Sequence, residues 1–175
     1  MSIQIPTLRA AHLTLRPILP ADTTSLHRIY QTDGVLQYFP NPSPPPLEKV
    51  ERFVAYQQAH WEKYGYGNWA VTTAGNDEII GWAGLQFLAE TEETEVGYLL
   101  DKVHWGKGYA TEAARASLDF GFASFAFPEI IALVHPDNTA SLKVAAKCGM
   151  TVVEHKVYWG VEMVRHVLKR PADGQ

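Results

Sequence analysis

The chain has 175 residues, 46% hydrophobic and 19% charged, which is the balance of a soluble folded protein and excludes an intrinsically disordered one. Its net charge of −4, with no basic stripe, argues against a nucleic-acid partner and is compatible with a cationic substrate. No stretch approaches the roughly 20 apolar residues that span a bilayer, and the opening MSIQIPTLRAAHLTLRP lacks a signal peptide's apolar run, so the expected location is the cytoplasm, with no membrane partner.

This length fits one domain over residues 1–175. The single cysteine, Cys148, precludes an internal disulfide and suits a reducing compartment. It falls in a helical pattern just before Gly149 and reads as a small buried hydrophobe. The seven histidines (His12, His27, His60, His104, His135, His155 and His166) are scattered singly, and none forms a metal-ligand pair at helical spacing with a nearby carboxylate. No metal site is expected.

In chain order, HLTLRPI alternates as a strand does, and PADTTSLHRIYQT follows as a short helix with Asp22 as its N-cap. FPNPSPPPLEKV packs five of the 11 prolines between Pro40 and Pro46, giving a stiff loop that serves as a connector or as a wall of a substrate cleft. A helix is predicted over Leu47 to Lys63. The aromatic residues Trp61, Tyr64, Tyr66 and Trp69 are read as mostly core, with one or two free to line an acceptor cleft. NWAVTT and EIIGWAGLQFL form a hairpin across AGND, and TEVGYLL is a further strand in which Gly97 marks a bulge or a close backbone approach.

Ala110, Ala113, Ala114, Leu118, Phe122 and Phe125 then recur on one face of a helix whose small first-turn residues allow close packing on a sheet. IIALV, Ile130 to Val134, is apolar throughout, as a strand buried on both faces should be. DNTASLKVAAKCGM is a helix capped by Asp137 or Asn138, with Leu142, Ala145 and Ala146 facing inward and Gly149 at its end. TVVEHKVYWGVEMVRHVL forms two strands around Trp159-Gly160, exposed enough to pair across a homodimer. The order predicts a mixed α/β sheet with a central strand–helix–strand unit, flanking antiparallel hairpins and helices on both faces.

The stretch HWGKGYATEAARA sets Gly106 and Gly108 directly before a helix. A helix start has up to four N–H groups without intrahelical partners and the positive end of the macrodipole. Bare glycine backbone there favours an anion, most often phosphate. The dinucleotide pattern fails because Thr111 stands where its third glycine belongs, and the Lys-Ser/Thr of a P-loop is absent.

LTLRPILPAD near the start, EVGYLLDKVHWGKGYATEAARA centrally and VHPDNTASLKVAAKCGM afterwards resemble the GNAT superfamily of acyl-CoA-dependent N-acetyltransferases. The nearest branch is that of the ribosomal-protein-alanine N-acetyltransferases. The resemblance implies a twisted, mostly antiparallel sheet with a central, splayed parallel strand pair, and acetyl-CoA as co-substrate. The family's Q/R-x-x-G-x-G/A loop is matched at Gly106 and Gly108, with Val103 in place of the first Gln or Arg. It assigns the pyrophosphate to the main chain of His104, Trp105, Gly106, Lys107, Gly108, Tyr109 and Ala110, with added charge from Lys107. It assigns the pantetheine arm to the backbone of Tyr98, Leu99 and Leu100 beyond a bulge at Gly97, and a further contact to Asn138.

The implied reaction joins acetyl-CoA and an amine in one complex. Glu95 is the first candidate for the base and His135 the second, while Ser141 would protonate the departing thiolate, with Tyr98 and Tyr109 less well placed for that task. The acceptor is a protein N-terminal amine on the nearest branch's precedent. A small amine (polyamine, amino acid or aminoglycoside) is the alternative, and a non-catalytic acyl-CoA sensor is a third reading.

Overall fold

The computed structural model describes residues 3–172; the two residues before and three after, within the expected 1–175 domain, lie outside the described residues. Its eight strands are β1 (Leu8–Arg9), β2 (Leu13–Arg16), β3 (Asn68–Thr73), β4 (Ile79–Leu88), β5 (Glu93–Leu100), β6 (Glu129–Val134), β7 (Thr151–Tyr158) and β8 (Val161–Lys169). They form one sheet in the order β1-β2-β3-β4-β5-β6-β8-β7. Every pairing is antiparallel except β5 with β6. Among the described residues there are four α-helices: α1 (Thr23–Tyr30), α2 (Leu47–Tyr64), α3 (Tyr109–Ser124) and α4 (Thr139–Lys147).

Alternating strand residues feed two cores. Leu13, Leu15, Val71, Ala83, Leu85, Val96 and Leu100 pack with Ala113, Ala114 and Leu118 of α3, while Ala70, Ile79 and Leu99 pack with α1 and α2. The α3 helix sits close because its sheet-facing residues are small. A Cβ on Gly121 would stand 2.7 Å from Leu85 Cδ1 and 2.9 Å from Ile130 Cδ1.

Several expectations are corrected by long-range contacts. Asp22 precedes α1 but does not cap it with its side chain; the carboxylate accepts from Arg16 Nη1 and Nη2 and from the Leu19 N–H, each at 2.8 Å. In α4, Ala145 is buried but Ala146 is exposed and Leu142 only half-buried. Val144 and Cys148 pack inward beside Ala145, so Cys148 is a partly buried side chain. Gly97 makes no bulge, because β4 and β5 keep one register from Gly81↔Leu100 to Leu88↔Glu93. The break lies on the other side of β5. It meets β6 only at Glu95↔Ile131, and beyond that pair the strands diverge.

Arg165 of β8 clamps the joined end of this splay, bonding Glu93 of β5 at 2.6 Å and Glu129 of β6 at 3.2 Å. Burial alone would raise the Glu93 pKa; hydrogen bonds from Arg165 and Tyr158, with the charge of Arg165, outweigh it and lower it. At the far edge, Trp159 (φ 51°) and Gly160 (φ 78°) close the β7–β8 hairpin, as a two-residue turn with two positive φ values requires.

Gly81 is where the sheet depends most on a missing side chain. Its φ is 152°, and a Cβ there would collide with the Leu99 carbonyl oxygen and stand 2.8 Å from Leu100 Cα. Backbone cannot yield as a side-chain tip does. Gly81→Ala is expected to cost about 3 kcal/mol or more, read as a fall in the denaturant midpoint at unchanged slope. A midpoint equal to the parent's would refute this account of β4.

Candidate active site

The splay between β5 and β6 opens the sheet to two cavities that meet. The first, of about 460 Å³, runs beside Leu100, His104, Trp105, Gly106, Gly108, Tyr109, Ala110 and the start of α4. The second, of about 370 Å³, lies across the sheet and includes Glu95, Gly97, Trp82 and Phe53. Tyr38, Phe39, Tyr98, Asn138, Ser141 and Val144 border both, so the two cavities adjoin along these residues.

The first mouth is built by the loop between β5 and α3. Asp101, 4% exposed, anchors it by accepting from Arg28 Nη1 at 2.9 Å while its own N–H donates to the Ile80 carbonyl at 2.8 Å. Gly106 (φ 75°) and Gly108 (φ 80°) are left-handed, and no protein atom lies within 4 Å of where a Cβ on either would sit. Only glycine adopts both without strain, and the space a side chain would fill stays open. Gly108 is the N-cap of α3 and provides no side-chain cap, so the helix's first N–H groups face this opening. His104 lies alongside with its Nδ1 buried and unpartnered, and burial lowers its pKa, helped by the charge of Lys107. An open glycine cradle, free helix N–H groups and an orphaned ring nitrogen fit a bound phosphate group.

Two expected contributors behave differently. Lys107 is exposed and does not line the groove; the cations that border it are Lys143 and Lys147 of α4. Sequence reading missed this pair because helix lysines normally mark a solvated face. Their i,i+4 spacing behind the Asn138 cap was the available signal. Leu99 borders the groove, but its carbonyl faces Gly81 of β4 and its side chain is buried among α1 and α2. Alternation therefore leaves Tyr98 and Leu100 with main-chain groups turned toward the splay. Of these, the Leu100 carbonyl already accepts the Trp105 indole N–H at 2.8 Å.

Where the cavities join, the Tyr98 hydroxyl donates to Ser141 Oγ at 2.9 Å. Burial pushes the Tyr98 pKa up to about 12, so the phenol keeps its proton at neutral pH. Asn138 caps α4, its side-chain oxygen accepting the Ser141 N–H at 3.1 Å while it borders both cavities. Tyr109 lies instead in the loop-side groove, its ring against His104.

Beyond the junction, Glu95 stands on the floor of the second cavity. Burial pushes its carboxyl pKa up to about 7, against hydrogen bonds from the Leu133 N–H and the Gln86 amide (3.1 Å) that lower it. His135 lines the same cavity, but its Nδ1 accepts the Asp137 N–H at 3.2 Å. That bond places the ring proton on Nε2, a poor arrangement for a base. The aromatic walls differ from those expected: Trp61, Tyr66 and Trp69 are core residues and Tyr64 packs against the same core. Tyr38, Phe39, Phe53, Trp82 and Trp159 line the cavity instead, joined by Pro40 of the proline loop.

Two adjoining cavities at a splayed sheet, one with an anion cradle and the other with a raised-pKa carboxyl, define a protein suited to group transfer between two substrates. The chain belongs to the acetyltransferase (GNAT) domain family, whose profile matches residues 12–151. It is similar to an uncharacterized protein YkkB of Bacillus subtilis, 38% identical over 104 residues that make up 58% of this chain and 60% of that protein. It is also similar to an uncharacterized N-acetyltransferase p20 of Bacillus licheniformis, 30% identical over 79% of this chain and 78% of the relative. Among solved structures, an acetyltransferase from Agrobacterium tumefaciens aligns over 96% of both chains with a TM-score of 0.84 and 28% identity.

Proposed function

We propose that the chain transfers an acetyl group from acetyl-CoA directly to a primary amine, and that the amine is a protein N-terminus. The observation that supports this reading is the pair of adjoining cavities, one bordered by the Gly106–Gly108 cradle and the other by Glu95. A sensor of acyl-CoA would need the first cavity but not a second one floored by a carboxylate.

In this reading acetyl-CoA supplies the thioester. The main chain around Gly106 and Gly108, with Lys143 and Lys147, holds its pyrophosphate, and the backbone of Tyr98 and Leu100 pairs with its arm. An amine is mostly protonated at neutral pH, so a base must take its proton before attack. A Glu95 pKa of about 7 leaves a useful fraction ionised near neutrality while keeping the carboxylate basic enough to accept that proton. As the new N–C bond forms and the C–S bond breaks, the thiolate takes the Ser141 proton, and Tyr98 hydrogen-bonds to Ser141 from behind. A second copy of the chain would pair along the free edge of β7, where Val152, Val153 and Val157 are exposed.

The test is calorimetric titration with acetyl-CoA, followed by thiol release with peptides bearing free N-termini and with small amines. Binding with peptide-dependent release is the expected outcome. Binding without release from any amine would favour the sensor. Gly108→Ala adds a Cβ in open space but at positive φ, so it strains the backbone by about 1–2 kcal/mol as well as intruding on the ligand. CoA affinity is expected to drop about tenfold or more, beyond what a melting temperature lower by a few degrees accounts for. Unchanged affinity would remove the loop from the binding site.

A further inference from the structure

One polar group at the second mouth is left over. Asn68 is 2% exposed, and its main chain is fully committed: its N–H donates to Gln57 Oε1 at 3.1 Å, and its carbonyl accepts the Trp61 indole N–H at 3.0 Å. Its side-chain Nδ2 is buried with no partner. Buried polar groups are nearly always hydrogen-bonded, so an orphan on a rigid strand needs a reason. Asn68 lines the same cavity as Glu95.

Register shows how the two face one another. Asn68 pairs with Gly84, and Gly84 with Gly97, so the row from β3 to β5 carries two glycines beside the carboxamide. Gln86 and Glu95 form the row two residues further on, and side chains two apart share a face of a strand. Gly84 is covered by the Gly67 carbonyl and the Asn68 main chain, whereas Gly97 leaves the floor low beside the Trp82 ring, so the amide stands at one end of that floor and the carboxyl at the other. Above it, the Phe39 and Phe53 rings pack against Trp82 with centroids 6.5 Å and 5.8 Å away. Among the described residues lining this cavity, Glu95 is the only acidic one.

We propose that Asn68 reads a carbonyl oxygen next to the acceptor amine. The acceptor is then an α-amino carbonyl compound, as at a free peptide N-terminus, whose first side chain is apolar and lies among Phe39, Phe53 and Trp82. This rests on the reading that the Glu95 end receives the amine. A polycation suits the same lining less well. One carboxylate serves one ammonium, and a second would have only aromatic faces to set against its lost hydration.

Thiol release from acetyl-CoA tests this with L-phenylalaninamide, phenethylamine (the same body without the carbonyl), L-lysinamide and spermidine. Wild type should use phenylalaninamide in preference to lysinamide and spermidine. In Asn68→Ala the ratio of kcat/KM for phenylalaninamide to that for phenethylamine should fall about tenfold. Intrinsic amine reactivity cancels when that ratio is compared between proteins, and a folding defect lowers both rates together. Asn68→Leu, which keeps the volume, should shift the ratio the same way. An unchanged ratio in both variants overturns the role of Asn68, and a preference for lysinamide or spermidine overturns the apolar acceptor, each leaving the transferase reading intact. Bound CoA with no release from any of the four overturns both readings.

Discussion

Glu95→Gln is expected to lower kcat by about 10²–10⁴-fold and to leave CoA affinity unchanged, because Glu95 lines only the cavity away from the glycine loop. The wild-type rate should climb with pH through about 7 as the carboxyl ionises, and the variant's residual rate should lack that limb. Stability moves the opposite way. Burial raises the folded-state pKa above the unfolded value, so the native protein favours the neutral acid. The resulting contribution is fully present below the unfolded carboxyl pKa of about 4.3, and it is lost as pH rises through about 7. Glutamine is neutral throughout. Glu95→Gln should thus melt at a higher temperature than wild type at pH 8, with the gap narrowing as pH falls and closing near pH 4. A variant that is more stable at pH 8 but turns over at the wild-type rate would show that the acceptor loses its proton elsewhere.

What could be read from the sequence is what local backbone chemistry dictates. Gly106 and Gly108 announce an anion cradle because their left-handed dihedrals and bare Cα atoms are properties of the residues themselves. The hairpin pattern NWAVTT and EIIGWAGLQFL across AGND, and the unbroken apolar run IIALV, identify β3, β4 and β6 for the same reason. The second cavity is different in kind. Tyr38, Phe53, Trp82 and Trp159 come from four separate segments, and only tertiary packing makes them neighbours. The local cluster Trp61, Tyr64, Tyr66 and Trp69 was the obvious aromatic candidate, and packing of α2 on the sheet turns it into the core. Asp22 has a capping residue's identity and position, but two bonds from Arg16 offer its carboxylate more than a helix N–H does. Asn68 had a faint signal, a polar residue opening an otherwise apolar strand. Its meaning needs the unpaired amide and the two glycines opposite it.

The junction of the two cavities carries the other large effect. Ser141 Oγ accepts a hydrogen bond from the Tyr98 hydroxyl at 2.9 Å, and this leaves the serine's own proton free to be donated to another group. A hydroxyl is a weak acid, and what it gives to a thiolate must be replaced or shared. Tyr98, held protonated by burial, is placed to do so. Ser141→Ala should lower kcat by about 10–100-fold with acetyl-CoA affinity nearly unchanged, because the α4 cap uses the Ser141 backbone N–H and not its hydroxyl. Tyr98→Phe should cost less, since Ser141 keeps its own proton, and the double variant should be no slower than Ser141→Ala alone. That non-additivity is the signature of one relay, measured by a double-mutant cycle on kcat. Additive losses would mean that the two hydroxyls act separately. A Ser141→Ala enzyme at full speed, with Tyr98→Phe slow, would make the phenol the direct acid and reduce the serine to holding it in place.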